Sequence, residues 1–339
     1  MARPGIRPGC LQGDPSGQVQ ISAVHVAGWE GMDHRVPTTL RPSESALLAR
    51  DFSGLGLEPM EVILPVGLGN GDGEGIRTVA VRSLSGREEQ HASWLGRDVR
   101  LPTWVSRILG ETVTWKGRSL GAERAARLVV ADRDLLIVCL RLLTFGSELW
   151  GVTRCPRESC GTSLDFTFDL TTVAVPSGPQ ARQPSASITC GGEAVTFRFR
   201  EPDGTDQEAV AALAREKPQE AALTLLSRCV VAWNGEPGVP KEVLRRLPPE
   251  LLSSIDGMMS AGMTSFDWVV ELSCTECDQR FAATLDIQSY FFQELRCCED
   301  DFWQEVHLLA SSYHWSEADI LGLPRWKRKK YLGLIDRHL

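Results

Sequence analysis

Apolar and polar residues alternate in two stretches of the chain that match each other. The first runs from Val79 to Glu89 and the second from Phe197 to Gln207, at a constant separation of 118 residues. The matched positions are Val79, Val81, Arg82, Gly86 and Glu89 with Phe197, Phe199, Arg200, Gly204 and Gln207. Alternation places apolar side chains on one face of a sheet, so each stretch predicts a β-strand that ends in a glycine turn.

The match continues with a helix and a hairpin in each copy. Asp132 to Leu143 and Pro249 to Met259 are acidic at the start and carry apolar residues at helical spacing, which is typical of helices packed on a core. Residues 145–170 and 264–287 then each predict a strand, a turn with two cysteines and a second strand. We therefore predict an α+β fold of two similar halves that arose by internal duplication, followed by a C-terminal helical tail.

Changes in composition divide the chain into five segments. Residues 176–187 are rich in proline, serine and glutamine and separate the two halves as a linker. The predicted segments are a partly disordered leader and connector (1–60), half one (61–175), the linker (176–187), half two (188–293) and the helical tail (294–339). Residues 1–31 contain several prolines and glycines without apolar periodicity, and Met32 is a plausible alternative start, so we expect this stretch to be dispensable.

Four cysteines form the strongest chemical pattern. Cys155 and Cys160 occupy the turn of the first hairpin, and Cys274 and Cys277 occupy the turn of the second. Two thiolates a few residues apart on a tight turn can face one metal, and two such turns complete a tetrahedron. The sequence therefore predicts one structural Zn²⁺ per chain held by Cys155, Cys160, Cys274 and Cys277.

Two other interpretations of these cysteines are open. They could be two reduced pairs on surface turns, or disulfide or redox pairs. A thioredoxin-like pair stands at the start of a helix after a strand, whereas an alternating strand follows each pair in this sequence. The context favours the metal.

Composition excludes several classes of protein. The chain has 339 residues and a net charge of −8, which is the wrong sign for a protein that binds polyanions over its whole surface. No apolar run reaches the roughly 18 residues that span a bilayer. The start of the chain has no apolar core of a secretory signal, so we expect reduced cysteines and a cytoplasmic location.

No catalytic constellation is apparent in the sequence. The glycine-rich run from Gly67 to Gly75 lacks the spacing of a phosphate-binding loop and precedes a predicted strand, which favours a flexible connector. H-E-x-x-H and G-x-S-x-G motifs do not occur, and the six histidines are scattered. We therefore expect a protein that is not an enzyme and has no small-molecule substrate.

The tail predicts three helices that could dock on a partner. Apolar and aromatic residues recur at spacings of three and four, and a basic cluster follows Pro324. The predicted partner-binding residues are Trp303, His307, Tyr313, Trp315, Trp326, Lys327, Arg328, Lys329 and Lys330. Tryptophan, tyrosine and arginine are enriched at interface hot spots. The competing interpretations are a solvated basic face and aromatic residues that pack back on the protein's own halves.

Several strings between residues 60 and 339 are distinctive. The second half and tail contain LSCTECDQRFAATLDIQSYFFQEL and WQEVHLLASSYHWSEADILGLPRWKRKKYLGLI. The first half contains SLSGREEQ and ADRDLLIVCLRLLTFGSELWGVTRCPRESCGTSLDFTFDL. The most distinctive strings are E-V-H-x-L-A and W-S-E-x-D-I-L. With these strings, residues 60–339 resemble the T4-type bacteriophage baseplate protein family. The C-x4-C spacing of the first turn departs from the C-x2-C of the second.

The resemblance implies a structural component or assembly factor of the baseplate or hub of a contractile phage tail or injection system. Its partners would be other baseplate, hub or tube proteins, and it would be cytoplasmic or incorporated in the particle. The alternative is a zinc-ribbon module associated with nucleic acid or regulation, since paired cysteine turns often serve there. The acidic net charge and the few basic residues near the turns disfavour that alternative.

Overall fold

A computed structural model describes residues 59–69, 75–94, 100–172, 185–190, 193–264, 266 and 269–335. This part of the chain is a mixed α+β fold with several small antiparallel sheets and a helical C-terminal stretch, as predicted. The leader through residue 58, most of the predicted linker and residues 70–74 of the glycine-rich run lie outside the described residues. The predictions made for them are therefore not addressed by the structure.

Half one alternates hairpins with helices. Its elements are β1 (Met60–Leu68), β2 (Ile76–Val81), α1 (Gly86–Trp94), α2 (Leu101–Thr112), β3 (Val113–Trp115), β4 (Arg118–Ser119), α3 (Ala122–Ala126), α4 (Val130–Phe145), β5 (Glu148–Arg154) and β6 (Ser163–Asp169). The first four strands form a sheet in the order β1-β2-β3-β4, and β5 pairs with β6 alone. Nearly every side chain of α4 is buried. This includes four charged residues that have polar partners inside the chain, Asp132, Arg133, Asp134 and Arg141.

Half two repeats this order of elements. Its elements are β7 (Ser185–Cys190), β8 (Glu193–Phe199), α5 (Gly204–Val210), α6 (Leu213–Glu216), α7 (Pro218–Cys229), β9 (Val230–Trp233), β10 (Glu236–Pro237), α8 (Lys241–Arg245), α9 (Pro249–Ala261), β11 (Val269–Ser273) and β12 (Arg280–Thr284). Strands β7 to β10 form a sheet in the same order as β1 to β4, and β11 pairs with β12. The extra short helix α6 is the main difference between the halves.

Small details of the backbone also recur. The β3–β4 turn at Lys116-Gly117 and the β9–β10 turn at Asn234-Gly235 have positive φ at both residues, the geometry that suits the twist of a tight hairpin. In each half an arginine that follows the second strand pairs with an acid that also accepts the N–H of the residue before the next helix. These residues are Arg82, Glu88 and Ser85 in half one and Arg200, Asp206 and Asp203 in half two. A duplication requires such agreement, but the common origin of the halves stays a prediction.

The main apolar core contains residues from both sides of the predicted boundary of half two. Helix α10 (Ile287–Cys297) follows half two in the chain but packs on α4 and joins the apolar core of half one. Arg141 of α4 forms two hydrogen bonds with Glu294 of α10, at 3.0 and 2.9 Å, and Asp134 accepts one from Gln288 at 2.6 Å. The boundary predicted at residue 293 falls inside this helix.

The tail consists of three helices, in agreement with the pattern of the sequence. They are α11 (Glu299–Tyr313), α12 (Glu317–Leu321) and α13 (Arg325–Ile335). Ser316 accepts the N–H of Asp319 and so caps α12. Among the described residues, none of the helices has the length and apolar character needed to cross a membrane.

Candidate metal centre

The first pair of cysteines stands on the turn between β5 and β6. The N–H of Cys155 donates to Thr162 O at 2.9 Å, which continues the ladder of the hairpin up to the turn. The N–H of Cys160 donates to Arg157 O at 2.9 Å, and Gly161 has a φ of +59° that a glycine adopts without strain. These bonds close the longer C-x4-C turn so that both sulfurs point to one side.

The second pair stands on the turn between β11 and β12. The N–H of Cys274 donates to Gln279 O at 2.9 Å, and the N–H of Asp278 donates back to Cys274 O at 3.0 Å. Asp278 reverses the chain with a φ of +55°, a conformation that aspartate tolerates better than most residues. The C-x2-C turn is thus built by local backbone bonds, as the first turn is.

The two turns bring all four sulfurs together. Cys155 Sγ lies 3.6 Å from Cys277 Sγ, and Cys160 Sγ lies 3.7 Å from Cys274 Sγ. All four sulfurs lie within 4.8 Å of one another, and this is the group of possible metal ligands that the described residues contain. A tetrahedral site with metal–sulfur bonds of about 2.3 Å has sulfurs about 3.8 Å apart. The spacing therefore fits a four-coordinate metal and is far too long for disulfides.

Hydrogen bonds support the thiolate form of these cysteines. The hydroxyl of Thr162 lies 3.2 Å from Cys160 Sγ, and together with the Thr162 N–H it lowers the pKa of Cys160 to about 6. Burial raises the pKa of Cys155 to about 12, and the N–H of Arg157, which donates to its sulfur, offsets part of this effect. Donors of this kind neutralise part of the charge that four thiolates bring to one ion.

The centre is largely shielded from water. Cys155 and Cys274 are buried, whereas Cys160 and Cys277 are half-buried, and Leu164 packs against the group. Four sulfur ligands fill a tetrahedral coordination shell, so no position is left for a substrate or a reactive water. The arrangement can hold a metal in a structural role, and it connects a hairpin of half one to a hairpin of half two.

The aromatic residues predicted to bind a partner belong to a small apolar core of the tail. The buried members of this core are Phe302, Val306, Leu309, Ile320 and Leu321. Trp303, Tyr313 and Trp315 are half-buried against it, and Tyr313 stacks on Trp315 with ring centroids 4.9 Å apart. These three rings therefore stabilise the tail and keep only part of their surface exposed.

The basic cluster of the tail divides into two groups. Arg328 is fully buried and donates to Glu89 at 2.8 Å and to Glu305 at 3.2 Å, so it acts inside the chain. Lys329 is exposed on one side and pairs with Glu305 at 2.8 Å. The remaining predicted residues face solvent in different degrees: His307 and Lys330 are exposed, and Trp326 and Lys327 are half-buried.

The acids that bind the tail arginines were not found from the sequence. Glu305 stands on the apolar stripe of α11, one turn after Phe302 and next to Val306. An acid in such a stripe signals a buried cation, because an unpaired buried carboxylate is strongly disfavoured. Glu89 in α1 gives no comparable local signal, since its partners Arg325 and Arg328 follow it by more than 230 residues.

No family model, no curated protein and no solved structure matches this chain.

Proposed function

We propose that Cys155, Cys160, Cys274 and Cys277 hold one structural Zn²⁺ per chain. The observation that supports this is the pair of short distances across the two hairpins, 3.6 and 3.7 Å, which suit a single ion with four thiolate ligands. Zinc is the metal most often held by four cysteines in reducing compartments. Because each hairpin supplies only half of the ligands, the ion stabilises the contact between the halves as well as each turn.

Elemental analysis of the protein purified without chelator tests the zinc. We expect close to one zinc per folded chain. A content below about 0.2 metal per folded chain would contradict the proposal, since a structural site of this type retains its ion through purification. A stoichiometric content of another metal would leave the structural role in place and refute the identity of the ion.

We further propose that the protein is a non-enzymatic structural component or assembly factor of a contractile phage-tail-like injection system, located in its baseplate or hub. The observation that carries this proposal is the pair of distinctive strings at residues 305–310 and 315–321. These strings lie in α11 and α12 and include Val306, Leu309, Ile320 and Leu321, four of the buried residues of the tail core. A metal centre without an open position supports a structural role.

The tail binds another protein of the particle through the side chains that its own core leaves exposed. Leu308 of α11 and Leu334 of α13 are apolar and substantially exposed, and Lys330 is exposed one turn before Leu334. Apolar side chains at the centre of an interface supply affinity, while charges at its rim accelerate encounter and make it sensitive to salt. Arg328 is excluded from this surface because it is buried.

Mass spectrometry of purified particles and a deletion strain test the assignment together. We expect the protein in the particle, or the loss of assembled sheaths when the gene is deleted. Lys327→Glu with Lys330→Glu should reduce incorporation, most strongly at low salt where screening is least. Lys217→Glu, an exposed position far from the tail in sequence, is the matched control. Normal assembly in the deletion strain and absence from the particle would contradict the role.

A nucleic-acid-binding zinc ribbon is the second candidate, because paired cysteine turns often serve that purpose. Arg154, Arg157 and Arg280 are exposed near the turns, but so are three acids, Glu158, Glu276 and Asp278. The surface around the metal therefore has no excess of positive charge, whereas phosphate binding depends on one. Salt-sensitive binding of DNA or RNA that is lost in Arg157→Glu would favour this candidate over the particle component.

A further inference from the structure

Half one and half two are joined by a contact between the turn that connects two helices of half one and a glycine of half two. The N–H of Gly204, the first residue of α5, donates to Leu128 O at 3.2 Å in the turn between α3 and α4. The guanidinium of Arg133 lies against Gly204 where any side chain would have to stand. Arg133 is fixed there by hydrogen bonds of 2.8 Å to Ala125 O and Pro102 O. Only a residue without a side chain fits at this helix start.

The tail holds half one by the same contact. The N–H of Gly86, the first residue of α1, donates to Leu323 O at 3.1 Å in the turn between α12 and α13. Nη1 of Arg328 lies 3.1 Å from the position of a Cβ at Gly86. Gly86 and Gly204 differ by 118 positions, and the leucine and the arginine both differ by 195 between the two contacts. The chain thus uses one docking geometry twice, with corresponding residues.

A third helix pair has the same turn. In all three pairs the leucine of the turn donates its N–H to a buried residue of the first helix: Leu128 to Ala125, Leu247 to Leu244 and Leu323 to Ile320. The third pair is α8 and α9 of half two. Among the described residues, the isolated bridges to a helix start involve the α3–α4 and α12–α13 turns, and none involves the α8–α9 turn. Pro248, which corresponds to the bridging residues Val129 and Pro324, is exposed.

We propose that the α8–α9 turn binds the start of α1 in a second copy of this chain, and that the α12–α13 pair blocks this self-assembly by occupying that site. We call the site junction one and define it by Ser85, Gly86 and Glu89. In the folded chain, junction one binds the α12–α13 turn. Among the described residues, the α8–α9 turn has the same form but contacts no helix start. Head-to-tail association then repeats between chains the contact that joins half one to half two.

The charges of the two surfaces are complementary. Glu89 of junction one is nearly buried and is paired with Arg325 and Arg328 of the tail, so any replacement of the tail must also bring a cation. The α8–α9 pair supplies this cation in Arg245. Arg245 corresponds to Leu321 of the tail, whose backbone lies against Gly86. Its side chain is half exposed and pairs with Glu220 only at the surface. Leu252 corresponds to the buried Arg328 of the tail and makes an apolar contact in its place.

In the isolated chain the tail, and not a second copy, occupies junction one. It is tethered to junction one, and a tethered group acts at an effective concentration in the millimolar range. A second copy at micromolar concentration therefore does not displace it. A factor that draws the tail away, such as the protein to which the tail docks, would open junction one. The inference concerns purified chains and does not depend on the particle role proposed above.

The double variant Arg325→Ala with Arg328→Ala tests the blockade in the full chain. It removes the two tail cations that pair with Glu89 and leaves that carboxylate for Arg245 of a second copy. We expect the wild type to remain a 37.3 kDa monomer in analytical ultracentrifugation. We expect the variant to form dimers and larger species as its concentration rises to about 100 µM, by mass action.

Two further substitutions in this background locate the contact. Arg245→Glu should return the variant to a monomer, whereas the matched change Arg246→Glu, one residue along and exposed, should not. Hydrogen exchange of α13 reports whether the tail has left junction one. If α13 stays protected, Glu305→Ala is added to remove the acid of α11 that also binds Lys329, and the triple variant is scored in the same way. A released tail without association, or association that Arg245→Glu does not reverse, overturns the proposal.

Discussion

Cys274 is the most buried of the four metal-centre cysteines, and its sulfur lies 3.7 Å from Cys160 in the opposite hairpin. We expect Cys274→Ser to release the metal and to lower the unfolding free energy by several kcal/mol, because binding a structural ion is also folding energy. Cys297→Ser, outside the metal centre, is the control and should retain the ion. Metal content and thermal unfolding measure both effects. A variant that keeps its metal and its melting temperature would show that metal binding does not depend on Cys274 and would contradict the site with four ligands.

Gly204 tests how tightly the two halves are joined. A methyl group at this position would collide with the guanidinium of Arg133, which is held by two carbonyl oxygens and cannot move aside. We expect Gly204→Ala to lower the unfolding free energy by about 1–3 kcal/mol, as overpacking does. Gly257→Ala is the matched control, since it is also helical but has open space around its Cα. That change should raise stability by up to about 1 kcal/mol. Equal effects in urea unfolding would contradict the contact.

Asp132 predicts a dependence of stability on pH. Its buried carboxylate accepts the N–H groups of Val66 and Gly67, and desolvation by burial raises its pKa from 3.8 to about 6. A raised pKa means that the folded state retains the proton longer than the unfolded state does, so its contribution to stability falls as the pH rises from about 4 to about 6. Between pH 5 and pH 7 this loss is about 1 kcal/mol.

Asp132→Asn isolates this contribution, because asparagine does not titrate. The stability difference between wild type and variant should shrink by about 1 kcal/mol from pH 5 to pH 7 in urea unfolding. The acids with a lowered pKa, such as Asp206 beside Arg200, titrate below this window and cancel in the comparison. A difference that is constant or that grows with pH would mean that Asp132 is already ionised in the folded protein at pH 5.

At the scale of elements, the periodic segments could be predicted and their partners could not. Asp132 to Leu143 lies within α4 and Pro249 to Met259 lies within α9, because helical spacing of apolar residues is a local property. Both cysteine hairpins also form where alternation predicted strands. The position of α10 on α4 depends on pairs such as Arg141 with Glu294, 153 residues apart, which no local pattern reveals.

The same distinction applies to the candidate site. The four cysteines could be predicted because two close thiols on a turn are a recognisable pattern, and the repeat relates the two turns. The role of Arg328 could not be predicted, because it lies in a cluster of basic residues, a pattern that is typical of a solvent-exposed surface. Its burial follows from two acids, Glu89 and Glu305, that come from different helices. A basic residue among lysines gives no sign in the sequence that it is internal.

At the scale of the whole molecule, half one and half two are joined at several places among the described residues. The metal centre joins their hairpins, Arg133 packs on Gly204, and α10 fills the core of half one. Helix α10 contributes a large apolar surface, because Tyr290, Phe291, Phe292 and Leu295 all belong to the main core. The halves therefore resemble domains in their order of elements but share one core, and we expect them to unfold together.

Phe291→Ala tests this shared core. Its ring is fully buried between Phe145 and Phe292, with centroids 6.2 and 5.5 Å away, and its loss should cost about 3–5 kcal/mol. Because α10 belongs to half two in the chain and to half one in the core, amide exchange should accelerate in β1 and β2 as well as in α10. Leu334→Ala, an exposed position, is the control and should change neither. Exchange that rises in α10 while β1 and β2 keep their protection would show that half one folds without this helix. A single unfolding transition, with metal release at its midpoint, is the behaviour that the shared core requires.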